Sequence, residues 1–360
     1  MNEMETIQIT VENIPESDLK PKYESEENIG FGQIKTDRMF TASYKNGSWQ
    51  DLTIKKYAPI VLDPTAVCFH YGQTIFEGQK AFRTKDGHIN LFRSEKNVAR
   101  FNLSAKRMMM PEINPEIYLK GLKELLKLEK DWAPKSEGSS IYIRPFMIGT
   151  EPSIGLRASN EYLFYIILLP SKAYFPEILK IYVSEEYIRS AKGGFGSAKT
   201  GGNYGGSLLV GQKAKDMGFH AVLWLDAIHR RYVEEVGAMN IFFVYNDIVY
   251  TTPLEYDTIV HGITRESALT ILQDFGYTVK EEALAIEDII IGIKEGTLTE
   301  SFGTGTAASI APVGSLFYQG DDHIINDFTI GSLTKKLTKK LLDIQYGHVP
   351  DPYNWIVRVV

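Results

Sequence analysis

One lysine stands among five glycines in the segment FGSAKTGGNYGGSLL, which begins at Phe195. A lysine amine forms a Schiff base with an aldehyde, and it does so best when it is partly desolvated, because its neutral form is then accessible. The alternative is a glycine-rich surface loop in which Lys199 faces water, since lysine is usually exposed. The segment therefore makes Lys199 a candidate nucleophile and leaves its surroundings open.

Two adjacent glutamates, Glu234 and Glu235, lie in the apolar segment YVEEVGAMNIFF, whose pattern predicts a strand. Successive side chains of a strand face opposite sides, so only one of the two carboxylates can face a given pocket. A carboxylate beside a pyridine nitrogen keeps that ring protonated and makes it a better electron sink. The alternative is a pair of glutamates at a solvent-exposed edge.

Two further segments could bind a phosphate. HGITRESALTILQDFG predicts a helix that starts at Ile263 and Thr264 after a glycine, and ESFGTGTAASIAP predicts a Gly/Thr loop that enters another helix. Backbone N–H groups at helix N-termini attract anions. Neither segment matches the P-loop or the dinucleotide fingerprint, and an ordinary helix cap or turn is the alternative for each.

Periodic patterns predict the elements that must position these residues. Asn46-Gly47 between two short apolar runs predicts a hairpin. Helical spacing recurs in NVARFNLSAKRMMMP, in PEIYLKGLKELLKLEKDWAP, after Gly206, Thr264 and Ile286, and in LTKKLTKKLLDI. Strands are predicted for most of the other apolar runs, so both halves of the chain are α/β.

The chain has 360 residues, more than the roughly 250–300 at which one hydrophobic core usually stops growing, so we expect two domains. The segment PSKAYFP concentrates helix and strand breakers between apolar blocks. We therefore predict a small N-terminal α/β domain at 1–169, a linker at 170–178 and a larger C-terminal α/β domain at 179–360.

Composition narrows the class of partner. The net charge is −6 with both signs interspersed, which excludes the electrostatic footprint of a nucleic-acid or anionic-membrane binder. The single cysteine, Cys68, excludes an intrachain disulfide. The acidic N-terminus has no apolar signal stretch, and no apolar run approaches the ~20 residues that span a bilayer, so we expect a cytoplasmic protein. No metal-ligand spacing is evident, and small-molecule partners are expected.

Taken together, these segments resemble a known family. AKTGGNYGGSLL, EEVGAMNIFF, HGITRESAL and FGTGTAASIAPV, with HYGQTIFEGQKAFR, LFRSEKNVARF, IYIRPFMIGTEPSIGL and AYFP, look like the branched-chain amino acid aminotransferases. The likeness covers about residues 30–350. It implies fold-type IV architecture, with a smaller N-terminal and a larger C-terminal α/β domain and pyridoxal phosphate between them.

The resemblance also implies roles for cofactor-binding residues. Lys199 is the Schiff-base lysine, and Glu235 is the partner of the ring nitrogen, because the family places that carboxylate directly before Val-Gly; Glu234 then points away. The resemblance assigns the remaining cofactor contacts to Arg100, Tyr204, Ile263, Thr264 and Thr304. Arg100 and the last three would hold the phosphate, and Tyr204 the ring oxygen.

For the substrate, the resemblance assigns the α-carboxylate to the loop at Thr306 and Ala307. It assigns the side-chain pocket to Phe31, Tyr71, Phe76, Tyr142 and Tyr174, and the γ-carboxylate of glutamate and 2-oxoglutarate to Arg144. From the residues alone, Arg144 in a structural ion pair is the alternative. Ile154 and Leu156, in the EPSIGL loop, would cover the active site of a second subunit, which implies a homodimer.

The implied reaction is a two-step transamination in which Lys199 is displaced by the substrate amine and then moves the proton. The amino group passes from leucine, isoleucine or valine to 2-oxoglutarate. Rivals of the same fold-type are D-amino acid transaminase and aminodeoxychorismate lyase. A non-catalytic pyridoxal-phosphate carrier is a rival from another class, although it would need no substrate pocket.

Overall fold

The computed structural model describes residues 7–172 and 178–360 and divides the chain into two compact units. The first unit comprises Met1–Ala173, Lys199–Gly201 and Gln345–Val360, and the second comprises Tyr174–Ala198 and Gly202–Ile344. This differs from the predicted division, because two segments of the predicted C-terminal domain cluster with the first unit. The predicted linker also begins too early, since a strand continues through Pro170 to Ser171.

The first unit is built on a nine-stranded sheet whose order is β1-β3-β2-β8-β7-β5-β6-β18, with β4 paired to β7. Its strands are β1 (Thr10–Val11), β2 (Arg38–Lys45), β3 (Ser48–Lys56), β4 (Thr74–Phe76), β5 (Gln79–Arg83), β6 (Ile89–Phe92), β7 (Ser140–Gly149), β8 (Tyr162–Ser171) and β18 (Ile356–Arg358). Its helices are α1 (Val67–Tyr71), α2 (Ser94–Arg107) and α3 (Pro115–Leu128), with 3₁₀ turns at Glu16–Asp18, Glu26–Asn28 and Lys130–Trp132.

Local sequence explains several of these elements. The predicted hairpin joins β2 to β3, and both turn residues, Asn46 and Gly47, have positive φ values of 53° and 79°. Such values are those of a type I′ turn, which matches the twist of paired strands. Helix α3 begins after Asn114, whose side chain accepts from the Glu116 N–H, with Pro115 at the first helical position.

Helices α2 and α3 pack their apolar faces on the sheet of the first unit. Phe101 of α2 and Tyr118 of α3 meet Phe164 of β8, with ring centroids 5.4 and 5.5 Å apart respectively. All three side chains are fully buried. Burial of such large apolar groups is the main stabilising contribution to this core.

The second unit is built on another nine-stranded sheet, ordered β11-β10-β9-β16-β15-β12-β13-β14, with β17 paired to β16. Its strands are β9 (Leu179–Ser184), β10 (Ala221–Leu225), β11 (Val233–Val236), β12 (Met239–Tyr245), β13 (Ile248–Thr251), β14 (Thr278–Glu281), β15 (Leu298–Gly305), β16 (Ser309–Tyr318) and β17 (Asp321–Ile324). The helices that follow Thr200 are α4 (Gly201–Gly205), α5 (Leu208–Asp216), α6 (Ile263–Asp274), α7 (Ile286–Glu295) and α8 (Ser332–Tyr346), with 3₁₀ turns at Leu254–Tyr256 and Asn326–Phe328.

An additional pairing of β11 with β12 joins the two ends of the run β11-β10-β9-β16-β15-β12, so these six strands form a closed ring. Closure leaves no open edge along these strands, and it brings side chains from distant segments onto one wall. The predicted helices after Gly206, Thr264 and Ile286 are confirmed as α5, α6 and α7. Helix α8 buries Leu333, Leu337 and Leu341, as its spacing predicts.

The segment ESFGTGTAASIAP is not a loop that enters a helix. Its residues form the end of β15, a turn at 306–308 and the start of β16, paired antiparallel with Thr304 opposite Ile310. The Phe302 and Ile310 side chains are buried, and this hairpin burial outweighs the Gly/Thr/Ala composition that suggested a helix start. Within the described ranges, no helix is both long and apolar enough to cross a membrane.

Candidate active site

The backbone of Lys199 is fixed on both sides within the first unit. Its N–H donates to Ser104 Oγ at 2.9 Å, and its carbonyl accepts from the Phe76 N–H at 3.0 Å. The next residue, Thr200, forms a bridge with Ile75, and its hydroxyl donates to a carbonyl of β4. Lys199 is half-buried, so it does not stand on a free glycine-rich loop.

Five predicted residues form a continuous run of contacts in the first unit. The Lys199 amine lies 4.8 Å from the centroid of the Phe76 ring, and the Arg144 guanidinium carbon lies 4.8 Å from the same centroid. Arg144 donates to the Tyr142 hydroxyl at 3.2 Å. The Tyr142 ring then meets Phe31 edge-on, with centroids 4.9 Å apart. An amine, a guanidinium and three aromatic rings therefore share one wall.

Arg144 has no carboxylate partner among residues 7–172 and 178–360. Its Nε is buried and makes no hydrogen bond within that part of the chain. The structural ion pair that was the alternative for Arg144 is therefore not what the described residues form. A half-buried guanidinium held by aromatic rings is suited to an anionic ligand.

Arg100 is held in a bidentate ion pair that the sequence analysis did not anticipate. Its Nε lies 2.6 Å from Glu77 Oε1, and an Nη donates to Oε2 at 2.8 Å. Asn97 also donates to this carboxylate, at 2.8 Å. Burial alone would raise the pKa of Glu77, but the charges of Arg100 and Lys199 and the hydrogen bonds lower it below its usual value. Glu77 thus stays ionised and fixes the Arg100 side chain.

Tyr71, predicted to line the pocket, and Ile154 and Leu156, predicted to cover the active site of a second subunit, take no part in these contacts. Tyr71 donates its hydroxyl to the Ile154 carbonyl, and all three of Tyr71, Ile154 and Leu156 are exposed, Leu156 by 84%. Tyr174, also predicted to line the pocket, lies outside the described residues. The exposed group is therefore separate from the contacts that join Lys199 to Phe31.

In the second unit, Glu235 of β11 is fixed by three partners. Its Oε2 lies 3.0 Å from Arg189 Nε, and its Oε1 accepts from Asn240 Nδ2 at 3.0 Å and from the Val260 N–H at 3.1 Å. Arg189 also donates to the carbonyls of Gly196 and Thr258. This buried carboxylate is ion-paired through Oε2 and accepts two hydrogen bonds through Oε1, which favours its ionised form.

Asn240 connects Glu235 to the predicted phosphate contacts. It lies opposite Thr304 in the pairing of β12 with β15, and its second amide hydrogen bond goes to the Val260 carbonyl, at 3.0 Å. A Cβ on Gly262 would come within 1.9 Å of Asn240 Oδ1, so this position requires glycine. Gly262 is the N-cap of α6 and provides no side-chain cap to the helix that starts with Ile263 and Thr264.

Thr304 is 1% exposed, and its hydroxyl has no hydrogen-bond partner within the described ranges. An orphaned hydroxyl beside a helix start that lacks a side-chain cap suits an oxygen-rich anion. Thr306 and Ala307 lie in the turn between β15 and β16, so their N–H groups belong to a hairpin turn and not to a helix N-terminus. Tyr204 lies on the short helix α4 and is half-buried.

A family model for amino-transferase class IV matches residues 74–316. The match covers more than half of the chain and includes Lys199, Glu235 and Thr304. The chain belongs to this family. Because the family model ends before α8 and begins after the exposed Tyr71, its match is concentrated on the segments that carry the predicted chemistry.

Among curated relatives, the chain is 48% identical over 337 residues to branched-chain-amino-acid transaminase 1 of Bacillus subtilis, with 92% of this chain and 94% of that protein covered. Among solved structures, the branched-chain amino acid aminotransferase of Escherichia coli has a TM-score of 0.75 at 24% identity, covering 90% of this chain and 99% of that one. A T.th. branched-chain amino acid aminotransferase complexed with N-(5′-phosphopyridoxyl)-L-glutamate has a TM-score of 0.74 at 26% identity, covering 89% and 98%. These structures confirm the predicted fold class of this class IV chain.

The class IV chain contains functional candidates that sequence reasoning missed. Glu77, Arg189 and Asn240 each hold a predicted residue by a buried hydrogen bond or ion pair. A signal existed for Glu77, because a carboxylate directly after the apolar pair Ile75-Phe76 needs a partner once it is buried. No local signal marks Arg189 or Asn240 as partners of Glu235, because spacing along the chain does not reveal contacts between separate segments.

Proposed function

We propose that this protein catalyses the pyridoxal-phosphate-dependent transfer of the amino group from leucine, isoleucine or valine to 2-oxoglutarate. The family match and the 48% identity to the Bacillus subtilis transaminase support the reaction class. The observation that carries the proposal is the wall on which Lys199 and Arg144 both contact the Phe76 ring. It combines an amine, apolar surface and a guanidinium that has no carboxylate partner among the described residues, and these are the groups that this pair of substrates requires.

The residues present fit pyridoxal phosphate. The Thr304 hydroxyl, which is buried and has no hydrogen-bond partner among the described residues, and the N-terminus of α6, whose N-cap is a glycine, are suited to its phosphate. Tyr204 would bond the ring oxygen, and Glu235 would hold a proton at the ring nitrogen. When bound, the cofactor supplies an aldehyde for the lysine and a ring that accepts electron density.

Lys199 would move the proton during the reaction. Its backbone is held by Ser104 and Phe76, so the amine swings about a fixed point. Glu235 is kept ionised by Arg189, Asn240 and the Val260 N–H, which prepares it to hold a proton at the ring nitrogen. Thr306 and Ala307 would orient the substrate α-carboxylate through their backbone N–H groups.

The same wall would accept two different side chains. Phe31, Phe76 and Tyr142 offer apolar area, which at ~25 cal/mol per Å² favours a leucine-sized group by about 2 kcal/mol. Apolar area alone would reject a carboxylate, because a buried charge needs a partner. Arg144 and the Tyr142 hydroxyl supply that partner for the γ-carboxylate of 2-oxoglutarate.

Replacing Arg144 tests whether the guanidinium binds the γ-carboxylate while the aromatic rings bind the apolar side chain. In Arg144→Met, we expect kcat/KM for the 2-oxoglutarate half-reaction to fall by at least about thirtyfold, while the leucine half-reaction changes by less than about threefold. Single-turnover kinetics of the holoenzyme, followed through the cofactor absorbance, measure both halves. Arg358→Met, at the exposed last residue of β18, is the matched control and should change neither. Equal losses in both halves would show that Arg144 only holds the wall together.

We also propose a homodimer in the cytoplasm. Ile154 and Leu156 are 66% and 84% exposed, and the nearby Val61 and Phe69 segments carry further exposed apolar side chains. The backbone joins these segments, since the Val67 N–H donates to the Glu151 carbonyl at 3.1 Å. An exposed apolar group of this kind is suited to a second subunit. Sedimentation at assay concentration should give a dimer, and an active monomer would contradict the assembly.

A further inference from the structure

The extended segment that begins with β4 has two faces, and they meet different parts of the first unit. The backbone stays paired to β7 beyond Phe76, because the Glu77 N–H donates to the Pro145 carbonyl at 2.8 Å. Successive side chains of such a segment point to opposite faces. Phe76 contacts Arg144 of the wall, whereas Glu77 contacts Arg100 of α2. The wall and α2 therefore lie on opposite sides of this segment.

Lys199 is bonded to both the helix and the segment. Its backbone N–H donates to Ser104 Oγ of α2 at 2.9 Å, and its carbonyl accepts from the Phe76 N–H at 3.0 Å. Its amine lies 4.8 Å from the centroid of the Phe76 ring, which is part of the wall. Lys199, α2 and β4 all belong to the first unit. The position of α2 is thus transmitted to the lysine that carries the amine.

The Ser104 hydroxyl is buried and makes two hydrogen bonds. It donates to the Arg100 carbonyl, one turn earlier in α2, at 3.1 Å, and it accepts from the Lys199 N–H. The first bond contributes little to the helix, because that type of serine bond to the carbonyl four residues earlier slightly destabilises helices. The second bond gives the Lys199 N–H an acceptor, and a part-buried N–H without one is costly. The contribution of Ser104 therefore lies in the bond to Lys199.

An ion pair joins the same helix to the same extended segment. Arg100 Nε lies 2.6 Å from Glu77 Oε1, and an Nη donates to Oε2 at 2.8 Å. Since Arg100 and Ser104 are one helical turn apart and Glu77 follows Phe76, these contacts close a ring that returns to Lys199. Each of the three segments in the ring is held by the other two.

We propose that Ser104 is a positioning residue for Lys199, because its hydroxyl fixes the lysine backbone to α2 while the Glu77–Arg100 ion pair fixes α2 to the segment that carries Phe76. Ser104 acts through the backbone and not on a reacting atom. The inference rests on the proposed function, in which the Lys199 amine must reach the cofactor and the substrate from one place. A small displacement of a reacting group slows a reaction strongly, since the reacting atoms must be aligned.

Ser104→Ala tests the proposal, with Ser94→Ala as its matched control. Both serines lie in α2 and are 1% exposed, and the Ser94 hydroxyl donates to Gln79 Oε1 at 2.8 Å. Each variant removes one buried, hydrogen-bonded hydroxyl from the same helix, and alanine favours a helix. Only Ser104→Ala removes the acceptor of the Lys199 N–H.

Two measurements on the holoenzyme need no amino-acid substrate. Hydrogen exchange of the Lys199 amide, resolved by mass spectrometry with fragmentation, should be at least about tenfold faster in Ser104→Ala than in wild type. Circular dichroism of the cofactor absorption band should weaken in Ser104→Ala at full cofactor occupancy, because a looser lysine holds the cofactor in a less uniform orientation. Ser94→Ala should match wild type in both measurements.

The kinetic measurement separates positioning from binding. In Ser104→Ala, the single-turnover rate constant at saturating leucine should fall by about tenfold, while the dissociation constant of leucine changes by less than about twofold. Ser94→Ala should change neither. Ser104→Cys, whose sulfur is a weaker acceptor, should give smaller changes in the same direction and serves as the test if Ser104→Ala does not fold.

Unchanged exchange of the Lys199 amide in Ser104→Ala would overturn the proposal, because another group would then hold the lysine backbone. Faster exchange with a dichroism and a rate equal to those of Ser94→Ala would also overturn it, since the bond would then not position the amine. A wild-type protein that binds the cofactor but does not turn over leucine would contradict the proposed function instead. Exchange and dichroism would still decide the role of Ser104 in that case.

Discussion

The two faces of β11 carry one glutamate each. Comparing the two side chains separates the effect of burial on the charge of a carboxylate from the effect of its partners. Glu235 and Glu234 are almost equally buried, at 2% and 4% exposure. Glu235 is bonded on both oxygens by Arg189, Asn240 and the Val260 N–H. One Glu234 oxygen is buried without a hydrogen-bond partner by geometry among the described residues, and burial raises the pKa of Glu234 to about 7, against the lowering effects of Thr258 and Arg189. Partners, not burial, therefore decide whether a buried carboxylate stays charged.

The largest expected effect follows from removing each carboxylate in turn. Glu235→Gln should slow single-turnover transamination by about a hundredfold or more, because only this side chain is held as a fixed charge. Glu234→Gln, its neighbour on the opposite face, is the matched control and should slow it by less than about tenfold. Stopped-flow measurement of cofactor absorbance gives both rates. Comparable losses would remove the functional distinction between the two faces.

Arg189 offers a second way to test the difference, through the ionisation of Glu235. Arg189→Met should lower kcat by roughly tenfold near neutral pH, with a rate that recovers as the pH rises, because a carboxylate that has lost its positive neighbour ionises less readily. Arg189→Lys keeps the charge and should restore most of the rate. The measurement is the pH dependence of kcat for the three proteins. A uniform loss with an unchanged profile would mean that Arg189 has only a structural role.

The smallest expected effect is the contribution of Glu234 to the pH dependence of the free energy of unfolding. The folded-state pKa of Glu234, about 7, is raised above the ordinary value of 4.5, so the folded state favours the protonated form. Wild-type stability should therefore fall as the pH rises from 4.5 through about 7, by roughly 2 kcal/mol from this group.

Glu234→Gln should remove that component of the pH dependence. Its free energy of unfolding relative to wild type should increase from pH 4.5 to pH 8, as measured by urea denaturation at each pH. Glu255→Gln, which removes an exposed carboxylate, provides the control. A constant difference between Glu234→Gln and wild type across this range would mean that the Glu234 carboxyl is not desolvated in the folded state.

Much of the fold could be predicted from local pattern. The turn at Asn46-Gly47, the leucines of α8 and the helix that starts at Ile263 all follow from residue types at short spacing. The segment after Phe302 was predicted wrongly, because glycine, threonine and alanine are compatible with both a helix start and a tight hairpin. Pairing of β15 with β16 decided between them, and that pairing depends on the whole sheet.

The residues of the candidate site divide in the same way. Lys199 was identifiable as a candidate because a single amine in a glycine-rich segment is chemically conspicuous, whereas the choice of Glu235 over Glu234 and the role of Arg144 came only from the resemblance to the family. Glu77 and Arg189 were not identified, although each holds one of the predicted residues. Glu77 and its partner Arg100 are 23 positions apart in the sequence, and Arg189 and its partner Glu235 are 46 positions apart. A pattern of residue types over a few positions cannot predict contacts at such separations.

By itself, the sequence determined the available chemistry: one amine in a glycine-rich segment, two adjacent carboxylates, and the periods that make strands and helices. The tertiary structure decided which carboxylate meets Arg189, left Arg144 without an acidic partner within the described residues, and paired β18 with β6 in the first unit. The physical reason is that side-chain periodicity is set by the neighbouring backbone, whereas the charge state and partners of a buried group are set by whichever distant segments pack against it.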